Sequence, residues 1–305
     1  MALWQAQTVA ARIAKAGGPS CRIVVISTSG DRLQDRPLSD VGGKRLFVKE
    51  IEDALLRHEV DVAVHSAKDM PTVLPDGLTI AAALPREDPL DAVVLPASST
   101  GSSRISATIE DLIAGLGQSP RVGTGSVRRV SQLIRLLPGA RFEAIRGNLD
   151  TRLRKLDEGS HDALVLAAAG LRRLGFAARI SLLLPVTACV PAPGQGIVAI
   201  EARELDEEAR RIASSIDDAD AMAALNGERA LVAALGGGCQ TPIGALASMV
   251  GTDDMELVAA VVSLDGSRAV RARAGGRRVD AATIGARAGA QLIAMGADEI
   301  LAIGD

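Results

Sequence analysis

The sequence predicts an α/β protein with a smaller α+β part at its C-terminal end. Short β-branched runs such as "VDVAVHS" (60–66) and "IVAIEAR" (197–203) alternate with apolar stripes at helical spacing. That alternation is the grammar of helix-covered, largely parallel sheets. Beyond about Ala219 it gives way to one helix, a group of strands and a final helix, the arrangement of a small α+β domain. With 305 residues the chain is long enough for two or three domains, each with its own core.

The elements follow in order. Leu3, Ala6, Ala10 and Ile13 recur at helical spacing until Gly17-Gly18-Pro19 stops the pattern. "RIVVIS" (22–27) reads as a buried strand. The polar, glycine-bearing stretch 28–45 is long enough to be a mobile lid or binding loop. Phe47, Ile51, Ala54 and Leu55 rebuild a helix face before the strand at 60–66. "RVGTG" (121–125) is a strand ending in a glycine turn, and Val127, Val130, Leu133 and Leu137 stripe the next helix. "FEAIRGN" is strand and turn, "LDTRLRKLDEG" a helix closed by Gly159, and "DALVLAAAGLRRLG" a strand running into a helix. "PAPGQG" (191–196) is a rigid crossing ahead of the strand "IVAIEAR". After the glycine-rich loop come "IGALASMV", then "LVAAVVSLDGSRAVRARA" turning at Asp265-Gly266, and a helix around Ala286 to Met295. A helix almost at Met1 is out of place, because a doubly wound domain opens with a central strand. The expectation is that a strand is lacking in front.

Composition removes several classes. One Trp, three Phe and no Tyr leave no aromatic platforms for single-stranded nucleic acid. A net charge of -3 provides no global field toward DNA or acidic membranes, so an anion must be met locally. Cys21, Cys189 and Cys239 are odd in number without CxxC spacing, which fits neither a disulfide framework nor a zinc site and points to a reducing, cytoplasmic compartment. No metal, nucleic-acid or membrane partner is expected. The acid-free opening segment resembles a transit peptide in composition, but reads better as an amphipathic helix of the fold.

Chemistry is expected where strands end in polar loops. "VHSAKDMPT" delivers Ser66, Lys68 and Asp69 into a turn closed by Pro71. In "GTGSVRR", Ser126 is placed to cap a helix whose first turn carries Arg128 and Arg129. Cations there oppose the helix dipole unless an anion binds between them. "IRGNLDTRLRKL" puts Arg146 at a strand end and Arg152 at a helix start, with Arg154 and Lys155 on a solvated face. Four arginines at equivalent junctions of an acidic protein point to a small polyanion, and carboxylates match the Arg fork. His65 is expected to make a structural hydrogen bond, while His58 and His161 fall at a helix end and in a turn. In "LGGGCQTPIGA" (235–245), Cys239 follows three glycines that let the backbone bend or approach closely. Residues alone leave it an incidental loop residue, an attachment point or a nucleophile.

Nine segments in order, "GGKRLFVKE", "VHSAKDMPT", "REDPLDA", "VGTGSVRR", "RGNLDTRLRKL", "LAAAGLRRLG", "PAPGQGIVAIE", "ERALVAALGGGCQTPIGA" and "GADEIL", resemble the porphobilinogen deaminase (hydroxymethylbilane synthase) family along nearly the whole chain. The resemblance implies two periplasmic-binding-protein-like α/β domains around a cleft plus a small α+β C-terminal domain. Its boundaries fall at 1–86 with 197–216, 87–196 and 217–305, the first domain apparently lacking its first strand. It implies a monomeric transferase of heme and porphyrin biosynthesis that condenses four porphobilinogen molecules head to tail with release of ammonia. A dipyrromethane cofactor would be attached to Cys239 through a thioether. Asp69 matches the catalytic aspartate, a fixed charge for the cations that develop on the pyrroles. Ser66, Lys68, Asp69, Thr124, Ser126, Arg128, Arg129, Arg146 and Gly170 match the cofactor surroundings. Arg128, Arg146, Arg152, Lys44 and Gln195 match the substrate side. The alternative is an N-terminally truncated, catalytically impaired copy that at most binds a small polyanion. A cysteine-dependent hydrolase is disfavoured by the lack of a convincing base. Arg45, where the family commonly has glycine, is expected to be tolerated.

Overall fold

The computed structural model describes residues 1–28, 48–97, 108–237 and 241–302. The chain runs through α1 (Ala2–Lys15), α2 (Lys49–Leu56), β1 (Val62–Ser66), β2 (Leu78–Ala83) and β3 (Asp91–Val94). It continues through α3 (Ile109–Leu116), β4 (Arg121–Gly123), α4 (Val127–Leu133), β5 (Arg141–Glu143), α5 (Leu149–Asp157), β6 (Ala163–Ala167), α6 (Ala168–Arg173) and β7 (Leu182–Leu183). The last part holds β8 (Val198–Arg203), α7 (Glu207–Ser214), α8 (Ala219–Ala234), β9 (Ile243–Val250), β10 (Asp254–Val262), β11 (Ala269–Arg277), α9 (Ala281–Ala294) and α10 (Ala297–Ala302).

Among the described residues the strands form three sheets. The first has the order β1-β8-β2, the second β5-β4-β6-β3-β7, and the third β11-β10-β9. The expected α/β class and the antiparallel C-terminal part are present, but the sheets are not largely parallel. β8 lies antiparallel between β1 and β2 because the chain returns to the first sheet from the second. In the second sheet β4 is parallel to β5 and β6, whereas β3 is antiparallel to β6 and β7. Only the βαβ crossovers, where a helix carries the chain back to the same end, produce parallel pairs.

Several elements differ locally from expectation. α1 buries Ile13 of the expected stripe, but with Gln5 and Val9 rather than Leu3, Ala6 and Ala10; Leu3 is exposed and the two alanines are half-buried. Residues 22–27 are not a buried strand: Ile23, Val24 and Val25 are exposed, and no described segment pairs with them. β-branched composition favours a pleated surface, but the ladder needs a neighbour to hydrogen-bond. α4 ends at Leu133, although Leu137 still packs into the same core. α9 starts at Ala281, earlier than expected, with α10 after it. Most of the expected lid loop lies outside the described residues, as does Phe47.

The two segments that cross between the first and second sheets, 84–90 and 184–197, touch each other. Glu87 N donates to Gly196 O at 3.0 Å, and Gly196 has φ +86° with Glu87 O 2.2 Å from where a Cβ would sit. Only glycine fits there. The third sheet is joined to this crossing by Glu228 of α8, which is fully buried. It pairs with Arg86 Nη1 at 2.6 Å and accepts from the backbone N–H groups of Gly194 (2.5 Å) and Ala247 (2.8 Å). A buried carboxylate so fully satisfied fixes the orientation of the parts that supply its donors.

With few large aromatics, the core is built from Leu, Val, Ile and many Ala side chains, and helices approach closely. α8 and α9 pack so tightly that a Cβ on Gly285 would lie 2.0 Å from the backbone oxygen of Gly227. Gly285→Ala is therefore expected to lower unfolding free energy by about 1–3 kcal/mol, the usual cost of overpacking. Chemical denaturation of the variant beside the parent checks this. Among the described residues no helix is long and apolar enough to cross a membrane.

Candidate active site

Where the three sheets meet lies a cleft of about 600 Å³. The first sheet contributes the turn after β1, with Lys68 and Asp69. The second contributes Thr124, Ser126, Arg128 and Arg129 from the β4–α4 junction and Arg146 after β5. The third contributes Leu225, Arg229 and Val232 of α8, Thr241, Ile243 and Leu264. The second sheet's side thus supplies most of the cations, and the third sheet's side, apart from Arg229, mostly apolar groups. Such a cleft suits a ligand with an apolar body and several acidic arms.

Asp69 ends a single 3₁₀ turn, Ala67–Asp69, and is exposed to the cleft. Its neighbour Lys68 is half-buried. Burial pushes the Lys68 ammonium down; Asp69 opposes this and Arg129 adds to it, and the balance holds Lys68 below the usual lysine range. A protonated Lys68 donates to an anion, and its proton is more easily lost than that of a surface lysine.

Arg128 and Arg129 are not surface charges. Both are more than nine-tenths buried and share the fully buried Asp91, which begins β3. Arg128 Nη1 donates to Asp91 Oδ2 and to Val190 O, each at 2.7 Å. Arg129 Nε donates to Asp91 Oδ1 at 2.9 Å and its Nη1 to Val165 O at 3.0 Å. Burial pushes the Asp91 carboxyl up, but the two guanidiniums outweigh it and hold it well below the usual carboxylate range. Arg128 Nε is buried without a hydrogen-bond partner, although Arg128 borders the cleft. A buried, unmatched donor on a guanidinium is costly unless a ligand meets it.

The other sequence-predicted residues divide. Arg146 and Thr124 lie on the cleft wall, and Ser126 does too. Ser126 occupies the N-cap position of α4, yet its hydroxyl makes no capping bond, contrary to expectation. Arg152 is set behind the wall and donates from Nε to Gly147 O at 2.8 Å. Burial, then Arg129 and Arg146, hold its guanidinium below the ordinary range, which places three like charges near one another. Ser66 Oγ accepts from Gln5 Nε2 of α1 at 2.8 Å and is off the wall, as is Gly170 on α6, near Met1. Gln195 borders the cleft, but its amide donates to Pro89 O (2.7 Å) and Asp91 Oδ1 (2.9 Å). His65 makes the expected structural contact, a buried one with Glu201 at 3.0 Å. Lys44 and Cys239 lie outside the described residues; Gly237 and Thr241 bracket the latter. Gly237 O accepts from Thr72 Oγ1, and Thr72 and Thr241 both border the cleft.

Sequence reading missed Arg229 and Asp91. Arg229 donates to Pro71 O (2.8 Å) and Thr72 O (2.7 Å), tying α8 to the loop that carries Asp69. Its partners are more than 150 residues away in the chain, so no local signal marks it. Asp91 sits in "REDPLDA", where one acid after a proline looks like a turn residue.

Fold and cleft together define an α/β protein with a cleft lined by several cations and by apolar side chains. The chain matches the family description "Porphobilinogen deaminase, dipyromethane cofactor binding domain" over residues 1–211 and "Porphobilinogen deaminase, C-terminal domain" over 222–294. It is 43% identical over 303 residues to a porphobilinogen deaminase of Geobacter metallireducens, covering 99% of this chain and 91% of the relative. It is 45% identical over 302 residues to one of Acidithiobacillus ferrooxidans, covering 99% and 94%. Solved structures are more distant: a substrate-binding domain of a putative amino acid ABC transporter from Streptococcus pneumoniae aligns with TM-score 0.39 at 14% identity, over 76% of this chain and 84% of its own. The chain belongs to the porphobilinogen deaminase family.

Proposed function

We propose that this protein is a hydroxymethylbilane synthase. It joins four porphobilinogen molecules head to tail, releases ammonia from each, and builds the product on a dipyrromethane held as a thioether at Cys239. The observation that carries the reading is the convergence of Lys68, Arg128, Arg129 and Arg146 with Asp69 on one cleft. The residues present fit the cofactor: each pyrrole brings two carboxylates, and the cleft offers several cations, an unmatched Arg128 Nε and an apolar wall. When bound, the cofactor serves as the primer from which the finished tetrapyrrole is hydrolysed.

The chain's own groups then have distinct tasks. Arg128, Arg129, Arg146 and Lys68 hold carboxylates, with Arg152 reinforcing the positive potential from behind the wall. Thr124 and Ser126 add hydroxyl donors. Asp69 places a fixed negative charge where positive charge develops as ammonia departs, and its oxygens are able to accept the proton that the new bond displaces. Ser66, whose hydroxyl accepts from Gln5 of α1, is assigned to the cofactor surroundings. Gly170 is assigned to the cofactor surroundings, and Gln195 and Lys44 to the substrate side. The domains fall at 1–86 with 197–216, 87–196 and 217–305, in a monomeric cytoplasmic protein.

Intact mass of the denatured protein tests the attachment. Two linked pyrrole units on Cys239, together with consumption of porphobilinogen, support the reading. A bare chain that binds carboxylates reversibly and leaves porphobilinogen unchanged overturns it. A second expectation concerns pH: because Lys68 must be protonated to hold an anion and its proton is held less tightly than usual, KM is expected to rise with pH below the range in which an ordinary lysine loses its proton. Lys68→Arg, whose guanidinium stays charged, is expected to flatten that rise. Initial rates at a series of pH values provide the comparison.

A further inference from the structure

Asp91 is the point on which the cationic wall is fixed. It is the first residue of β3, where the chain enters the second sheet from the first crossing, and it is fully buried. Its oxygens are divided between two guanidiniums: Oδ2 accepts from Arg128 Nη1, and Oδ1 from Arg129 Nε, with Arg129 Nη2 2.8 Å away. Oδ1 also accepts from Gln195 Nε2 of the second crossing at 2.9 Å, and Oδ2 faces the Cys189 thiol at 3.4 Å. Val190 O, on the second crossing, takes a further bond from Arg128 Nη1. One carboxylate thus ties both crossings and both cleft guanidiniums together. It leaves Arg128 Nε without a protein partner.

We propose that Asp91 is a positioning residue for the acidic ligands of the cleft, acting through Arg128 and Arg129. The proposal rests on the reading that the cleft binds pyrrole carboxylates. Asp91 occupies the Nη1 side of Arg128 and fixes both guanidinium planes, so that the remaining donors are presented in a set direction. It also offsets one of the two buried positive charges. Without it, two guanidiniums and Lys68 would repel one another, and each would turn toward whatever acceptor was nearest.

The test compares Asp91→Asn and Asp91→Glu with the parent protein. Asparagine keeps the shape but has one acceptor oxygen and an N–H₂ group, which meets a guanidinium donor to donor. Glutamate keeps the charge but moves it by one methylene. For each protein, circular dichroism gives the folded fraction, intact mass the share of chains with two pyrrole units, and initial rates the KM and kcat for porphobilinogen. Positioning predicts, in folded Asp91→Asn, a KM raised by about 10-fold or more or a comparable loss of adduct, because small misplacements of binding groups are costly. Should Asp91→Asn not fold, the same change in folded Asp91→Glu supports the proposal. Parental KM and adduct in the folded variants, with only thermal stability lowered, overturn it and leave Asp91 a structural counter-ion. A parent protein that neither carries the adduct nor consumes porphobilinogen overturns the functional reading instead, and the proposal with it.

Discussion

Asp69→Asn is expected to lower turnover of porphobilinogen by about 100- to 1,000-fold, the usual loss when one preorganised group facing developing charge is removed. Its stability should stay within about 0.5 kcal/mol of the parent, since Asp69 is exposed and surface substitutions rarely cost more. The two measurements together are informative. Asparagine matches aspartate in shape and still accepts a hydrogen bond, but it carries no charge and takes up no proton at working pH. If the aspartate served mainly to hold the turn, the denaturation midpoint would fall and activity would follow it. If it acts on the chemistry, kcat falls while the midpoint and the far-ultraviolet spectrum are retained. A variant with kcat within threefold of the parent would remove Asp69 from the mechanism.

Cys239→Ser is expected to abolish the covalent adduct and, with it, all measurable tetrapyrrole formation. A thioether requires sulfur, and serine is a far weaker nucleophile at neutral pH because its hydroxyl scarcely ionises. The structure explains why neither other cysteine could take over. Cys189 is fully buried among Asp91, Arg128 and the Val190 segment. Burial pushes its thiol up to about 12, against the pull of Arg128, so almost none is thiolate at neutral pH. Cys21 is exposed but does not border the cleft. Accordingly Cys189→Ala should keep the full adduct mass, and the paired variants locate the attachment by intact mass alone. An adduct that survives Cys239→Ser would place the anchor elsewhere and overturn the assignment.

Much of the site was legible because its residues occur in short segments at strand ends, where the chain must turn and polar groups must face outward. Asp69, Lys68, Thr124 and Arg146 reach the cleft from such junctions, as their spacing implied. What the sequence did not show has one cause. "RIVVIS" has strand composition, but a strand exists only with a neighbour. Ser66 has a cleft motif around it, but its hydroxyl is engaged by a helix 61 residues earlier in the chain. Arg128 and Arg129 border the cleft as their junction implied, but their burial against a carboxylate 37 and 38 residues away has no local signal.

The sequence by itself determined the class of fold, many of the helices and strands, the cleft-facing loops and the family. These are carried by periodicity, turn residues and contiguous motifs, all of which are local along the chain. Only the tertiary structure decided the direction of the strands, the close approach of α8 and α9, and the role of Asp91. Strand direction depends on where the chain returns from the second sheet, and the buried charges depend on which distant segments that return brings together. A carboxylate becomes the anchor of two guanidiniums only when folding removes water from all three, and that desolvation has no signature in the local sequence.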